Sequence, residues 1–306
     1  MTRSSTLAAI LVFSLLAVAA CKSSGSGAQD DVVDAPTLSE QWTSLIQRSW
    51  ELPAGATDTY RCRRIEVAED LYIVGFRALA PFGTHHTLVT VTDADAQLGD
   101  YDCSLQAIDS EMLYASGVGS DDLMTPEGVA IHVKAGQKLN LNLHLFNTSE
   151  ETVTGESGIL IDTIPADQVQ QTADAIIAGK ATFSLDAGIQ EVHATCTVAR
   201  DYQIFAVWPH MHQLATHQKV VLTPKAGGDP ITLLDASYSF GEQKYYPKAP
   251  SVQVHAGDKI DVTCSYLNDT GAPVGSGDSS TEEMCFTGLF RYPAPANSNL
   301  YECIQP

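Results

Sequence analysis

The sequence predicts an all-β protein: two tandem antiparallel β-sandwiches, jelly-roll-like, placed after a signal peptide and a flexible tether. Three observations carry this. The chain has 306 residues, and at about 150 residues per domain that length suits two cores. Its 22 Gly and 14 Pro punctuate short apolar runs instead of long helix-forming ones. Those runs either alternate or stay apolar over lengths typical of strands.

The elements follow in order. Leu38–Trp50 has apolar residues at Leu38, Trp42, Leu45 and Ile46, a helical spacing that predicts a short leading helix. Strands are predicted at 71–76, 87–92, 129–133 and 139–146. The last alternates most cleanly: Leu139, Leu141, Leu143 and Leu145 share one face, and Asn140, Asn142, His144 and Phe146 the other. A strand at 158–162 precedes Ile164-Pro165 and a polar connector, with a short helix predicted over Ala166–Ala178. Further strands are predicted at 190–198, 202–208, 219–223, 251–255, 259–267 and 284–292, with a Gly/Ser/Asp loop at 269–281. The domains expected are a signal peptide at 1–20, a lipidated Cys and tether at 21–36, and β-sandwiches at 37–164 and 165–306.

Charge excludes some partners. Seventeen Lys and Arg against 37 Asp and Glu give a net charge of −20. Nucleic acid is therefore not expected as a partner, nor is an anionic membrane surface, because both need clustered cations.

Arg3, the apolar run Leu7–Ala20 and then Cys21 form the n- and h-regions of an export signal, too short to span a bilayer comfortably. Val18-Ala19-Ala20-Cys21 resembles the bacterial lipobox, in which the Cys is acylated. A plain secretory signal with an incidental Cys is the alternative. The polar run from Lys22 to Gln29 suits a tether, so the expected location is the bacterial cell envelope, with a lipid anchor. Apart from Cys21 the chain has six Cys: Cys62, Cys103, Cys196, Cys264, Cys285 and Cys303. An even number in an oxidising compartment predicts three disulfides, and no CxxC or CxxxC pair argues for zinc or an iron–sulfur cluster.

The histidines carry the chemistry. On a strand, His210 and His212 point to the same face and are placed to grip one ion, although HxH also occurs on plain polar faces. His85 and His86 are adjacent and would point to opposite faces, unless a strand end or bulge brings them together. Gly83-Thr84, just before them, permits that. His144 is either a third ligand or a hydrogen-bonded histidine between sheets. Met284 alone reads as core filler; beside a His pair, its thioether is a soft ligand that favours Cu(I). His132, His193, His217 and His255 read as ordinary polar residues.

Taken together, His85-His86, His144, His210-Met211-His212 and Glu283-Met284-Cys285 resemble, in order and approximate spacing, the copper type II ascorbate-dependent monooxygenases. That family includes peptidylglycine α-hydroxylating and dopamine β-monooxygenases. The segments Ser237–Tyr246 and Gly257–Thr270 strengthen the resemblance, which covers roughly residues 50–305. It implies disulfides Cys62–Cys103, Cys196–Cys303 and Cys264–Cys285. It also implies two coppers per chain, facing each other across a solvent-filled cleft. His85, His86 and His144 would bind the copper that stores an electron. His210, His212 and Met284 would bind the copper that meets O2 and hydroxylates a C–H bond, with ascorbate or a similar reductant as co-substrate.

The sequence departs from the peptide-hydroxylating members at three places. Trp208 stands where they have an Arg, and Phe286 and Gly288 stand where they have Asn and Tyr. A peptide carboxylate would therefore lack its cation, and Trp208 and Phe286 would favour a small apolar or aromatic substrate. Asn142 is a candidate for supporting His144 from behind. Two other functions compete with hydroxylation: a non-catalytic copper-binding or copper-sequestering lipoprotein, and a metal-free adhesion or carbohydrate-binding module.

Overall fold

The computed structural model describes residues 42–104, 111–117 and 119–306. The expected signal peptide, Cys21 and the tether lie outside them. The described chain is all β, apart from one 3-10 turn at Ala166–Gln168.

Four sheets form. The largest runs in the order Thr43–Leu52, Val153–Thr163, Leu71–Leu79, Val129–Val133, Gln171–Lys180, Cys285–Tyr292, Tyr202–His210 and Tyr246–Val254. Along this order neighbours are antiparallel except Val129–Val133 and Gln171–Lys180, whose parallel pairing joins the first half of the chain to the second; Cys303–Gln305 also pairs in parallel with Gln171–Lys180. A five-stranded sheet in the first half is ordered Gly99–Asp102, Thr59–Glu66, Lys138–Leu145, Thr84–Thr92, Glu111–Gly117. A four-stranded sheet in the second half is ordered Gly188–Thr197, Lys259–Asn268, Ala215–Thr223, Ile231–Ser237. A small pair, Ser184–Leu185 with Val274–Gly275, completes the set.

Burial explains the strands. In Lys259–Asn268, Ile260, Val262, Cys264, Tyr266 and Asn268 point inward while their neighbours stay at least partly exposed, as expected of a sheet with one solvated face. Tyr202–His210 is buried along nearly its whole length and serves two cores. Ile204 and Val207 belong to the core of the second half, and Phe205, Ala206 and Trp208 to that of the first. The irregularity between Ile204 and Ala206 lets two successive residues face the same core.

Within the described residues both predicted helices give way mainly to strands: residues 38–41 of the first lie outside them, and of the second only the 3-10 turn Ala166–Gln168 is helical. Thr43–Leu52 sends Ile46, Trp50 and Leu52 inward, and the inward position between the first two holds Arg48. Its guanidinium donates to the carbonyls of Cys62 at 2.5 Å and Tyr101 at 2.7 Å. A cation in the inward row broke the apolar alternation. Gln171–Lys180 is rich in alanine, which suggests helix by propensity, yet this strand pairs with both halves of the chain, and tertiary pairing wins.

Three disulfides close the frame: Cys62–Cys103, Cys196–Cys303 and Cys264–Cys285. Closing loops of these lengths contributes roughly 3–5 kcal/mol each in the chain-entropy treatment.

The two halves also repeat a motif. Ala135-Gly136 through Asn147 and Ser149 aligns without gaps on Ala256-Gly257 through Asn268 and Thr270. The contacts repeat with it. Asp70 caps the Ala135 N–H, and Asp201 caps that of Ala256, both at 2.8 Å. Asn147 and Asn268 each tie the loop that follows through side-chain bonds to Glu151 O and Ala272 O, both 2.8 Å.

Candidate metal centre

The first histidine set is built by a bulge. Pairing between strands Thr84–Thr92 and Lys138–Leu145 runs Thr84 to Leu145 and then His86 to His144, so His85 has no partner. Gly83 enters this turn at φ +99°, and a Cβ there would strike the Trp50 ring at 2.6 Å, so only glycine fits. The extra residue brings both adjacent imidazoles to one side. His85 Nδ1 lies 3.0 Å from His86 Nδ1, and His86 Nδ1 lies 3.4 Å from His144 Nδ1. One ligand nitrogen from each of the three falls within a 4.8 Å cluster.

Two residues the sequence did not reveal hold His144. Tyr60, its cross-strand neighbour, stacks on it with centroids 4.6 Å apart. Asp58 accepts the His144 Nε2–H at 3.0 Å, leaving Nδ1 as the free lone pair. Asp58 adopts φ +44°, and no motif marked it. Asn142 lines the cavity, and its amide donates to Ser104 O at 3.2 Å.

The second set sits where strand Tyr202–His210 ends. His212 Nδ1 donates to Glu282 O at 3.0 Å, and His210 Nδ1 donates to Gln243 Oε1 at 3.0 Å. Both rings therefore keep Nε2 for a metal, the arrangement that ligating histidines usually show. The Tyr238 hydroxyl donates to Met211 O at 2.6 Å and pins the residue between them. Glu283 is fully buried and accepts the N–H groups of His212 at 2.9 Å, Leu214 at 2.7 Å and Met284 at 3.3 Å. It thus fastens the segment that carries Met284 to the one that carries His212.

The two sets are in contact, not across a solvent-filled cleft. Rings His86 and His210 have centroids 6.0 Å apart. Phe240, within the Ser237–Tyr246 segment, lies against His85 at 4.6 Å, His86 at 5.5 Å and His212 at 5.8 Å. His86, His144, His210, His212 and Met284 all line one cavity of about 130 Å³. Its other walls include Leu88, Met112, Ile177, Trp208, Phe286 and Leu300. Trp208 stacks on His210, with centroids 5.0 Å apart and planes at 18°. Gly288 is its cross-strand partner, and a Cβ there would meet the indole at 3.3 Å. The Trp208 and Gly288 departures thus form one packed pair.

Burial keeps all five imidazoles neutral. It pushes His85 down to about 4 and His210 to about 3, with neighbouring imidazoles adding to the effect. His86, His144 and His212 are lowered for the same leading reason. Neutral imidazole is the form that binds metal. A trio of nitrogens around one point, and a His pair with free Nε2 atoms lining the same cavity as a thioether, both suit copper.

Residues 167–306 match the family described as copper type II ascorbate-dependent monooxygenase, C-terminal domain. Among solved structures, the chain is similar to the major capsid protein P2 from bacteriophage PM2, with 9% identity, 80% of this chain and 96% of that one covered, and a TM-score of 0.33. It is also similar to infectious bursal disease virus, Gt strain, with 10% identity, 83% and 78% coverage, and a TM-score of 0.22.

Proposed function

We propose that this protein is a copper-dependent monooxygenase that hydroxylates a C–H bond of a small apolar or aromatic substrate, using O2 and an ascorbate-like reductant. The observation that carries this reading is the convergence of His86 and His144 from the first set, His210 and His212 from the second, and Met284 on one apolar cavity. The family match over residues 167–306 supports it from the side of sequence.

Copper bound at these residues would supply the one-electron redox chemistry through which O2 and an external reductant hydroxylate a C–H bond. The chain's own part is to hold and exclude. Asp58 and Glu282 fix which nitrogen of His144 and His212 is offered, and Glu283 holds Met284 near the His pair. Cavity walls that are mainly aliphatic and aromatic, with Asn142, Asp278 and Ser280 among their polar members, limit water at the reacting bond. They offer no cation for a carboxylate: Trp208 and Phe286 supply ring faces instead. Two buried polar atoms of the lining, Trp208 Nε1 and Thr90 Oγ1, make no hydrogen bond within the protein. A substrate with one oxygen on an otherwise apolar frame would satisfy such a group. The size of the cavity suits a single ring, since an engineered cavity of about 150 Å³ holds benzene.

The remaining part of the reading is location. Lipidation at Cys21 would place the enzyme on the cell envelope, and Cys21→Ser would then move it from the membrane to the soluble fraction.

The test is copper stoichiometry with EPR on the loaded, desalted protein, followed by reductant-dependent O2 uptake and ¹⁸O incorporation across a panel of monocyclic alcohols and ethers. Two coppers and labelled product are expected. Copper without labelled product or O2 uptake would favour sequestration. No copper would overturn the reading.

A further inference from the structure

Gln243 is fully buried between the two histidine sets and touches both. Its Oε1 accepts the His210 Nδ1–H at 3.0 Å, and its Nε2 donates to His86 Nε2 at 2.5 Å. The direction of the amide is fixed on the protein side, because Nε2 also donates to Phe240 O at 3.4 Å. A reversed amide would set two oxygens against each other. The site is shaped for this side chain: a Cβ on Gly117 would come within 2.9 Å of it, and Ser120 Oγ donates to the Gln243 carbonyl.

Hydrogen-bond direction has a consequence for His86. A nitrogen that accepts a hydrogen bond carries no proton, so the proton of neutral His86 is on Nδ1. That N–H points at two nitrogens, His85 Nδ1 at 3.0 Å and His144 Nδ1 at 3.4 Å. His144 is an acceptor there, because Asp58 holds its proton on Nε2. One proton therefore occupies the centre of the trio, where a metal would bind.

For His86 to ligate through Nδ1, its proton must move to Nε2, and Nε2–H then needs an acceptor. Gln243 provides one only by turning its amide over. The NH2 group would then face His210 Nδ1, which would have to accept, shifting the His210 proton to Nε2, the atom free for a metal. An amide has one oxygen and serves one of the two rings at a time. We infer that Gln243 couples the two sets, so that a metal at His210 and His212 disfavours one at His85, His86 and His144 unless Gln243 withdraws. This rests on the copper reading above, and Gln243 is in it a positioning residue.

The first test needs no metal. Nitrogen-15 NMR of histidine-labelled, metal-free protein should show His86 protonated on Nδ1 in the parent. In Gln243→Glu, whose carboxylate can accept from both rings, His86 should carry its proton on Nε2. An unchanged His86 tautomer in that variant, or an Nε2–H tautomer in the parent, overturns the inference. The second test compares copper affinity of the first set with the second set intact and loaded, and with it disabled by His212→Ala. Leaving one buried donor or acceptor unpaired should make the ratio roughly tenfold or more in the parent. In Gln243→Ala, where neither ring is constrained, the ratio should fall to about one. Two independent coppers in the parent would overturn the coupling alone. A parent that binds no copper would remove the copper reading and the coupling with it, and the tautomer result shows which premise failed.

Discussion

The Asp58 carboxylate accepts the Nε2–H of His144 at 3.0 Å, and so determines that His144 offers Nδ1 to the cluster beside it. Partners that orient a ligating ring in this way typically account for 10–100-fold in metal affinity. Asp58→Asn keeps an acceptor oxygen and tolerates the positive φ, but loses the charge behind the ring. It should weaken copper at the His85, His86 and His144 set by about tenfold with little change in thermal midpoint. Competitive copper titration measures the first quantity and calorimetry the second; an unchanged affinity would make Asp58 a bystander.

Glu283 has a different task. It collects three backbone N–H groups from two segments, His212 and Leu214 on one and Met284 on the other. Glu283→Ala strands those donors in a buried place. At about 1–3 kcal/mol for each unpaired buried group, the variant should lose roughly 3 kcal/mol or more by urea denaturation. Glu283→Gln retains one acceptor oxygen and should lose less. If alanine and glutamine cost the same, the carboxylate does not act through these bonds.

Much of this frame was legible beforehand. Strands at 71–76, 129–133, 202–208 and 259–267 follow the apolar periodicity, because periodicity records burial. The bulge at His85 was legible from Gly83-Thr84 and from the geometric conflict of adjacent histidines. Arg48 and the alanines of 171–180 misled, since a half-buried cation and helix propensity say nothing of the partner that satisfies or overrides them. Asp58 was silent, and Phe240 and Gln243 were legible only as letters of the Ser237–Tyr246 segment, for a related reason. Each acts on a histidine distant in sequence, and neither composition nor spacing encodes that contact. The Ala135–Ser149 and Ala256–Thr270 repeat was visible in the letters and would have pointed to two related halves.

Acidification should destabilise the metal-free protein in a definite window. An unfolded histidine titrates near 6.5, while burial holds His85 at about 4 and His210 at about 3. Between these limits the unfolded chain binds more protons, so folding stability is full above about pH 6.5 and falls as pH drops toward 4 and then 3. Glu283 acts in the opposite direction. Burial raises it to about 7, so its contribution is full below the ordinary carboxylate range and is lost as pH rises through 7. Five histidines against one glutamate give a net loss on acidification. Urea midpoints from pH 7.5 to 4.5 measure it, and Glu283→Gln should steepen the loss by removing the opposing group. A flat profile in the metal-free protein would contradict the buried, neutral state of these rings.

Met284→Ile separates the two sets chemically. The residue is buried on the cavity wall, 7% exposed, and isoleucine is close to it in volume, so the packing cost should stay below about 1.5 kcal/mol. What is lost is the Met284 sulfur, a soft donor on the wall that His210 and His212 share, and with it the preference for Cu(I). The expected outcome is a folded protein that keeps copper at His85, His86 and His144, loses or weakens the second copper, and shows no reductant-dependent O2 uptake above background. The contact between His86 and His210, at 6.0 Å between ring centroids, makes the control informative. Freed of a metal at His210, the first set should hold its copper at least as tightly as in the parent. Loss of both coppers would mean that the six residues form one shared site, and that Met284 supports all of it.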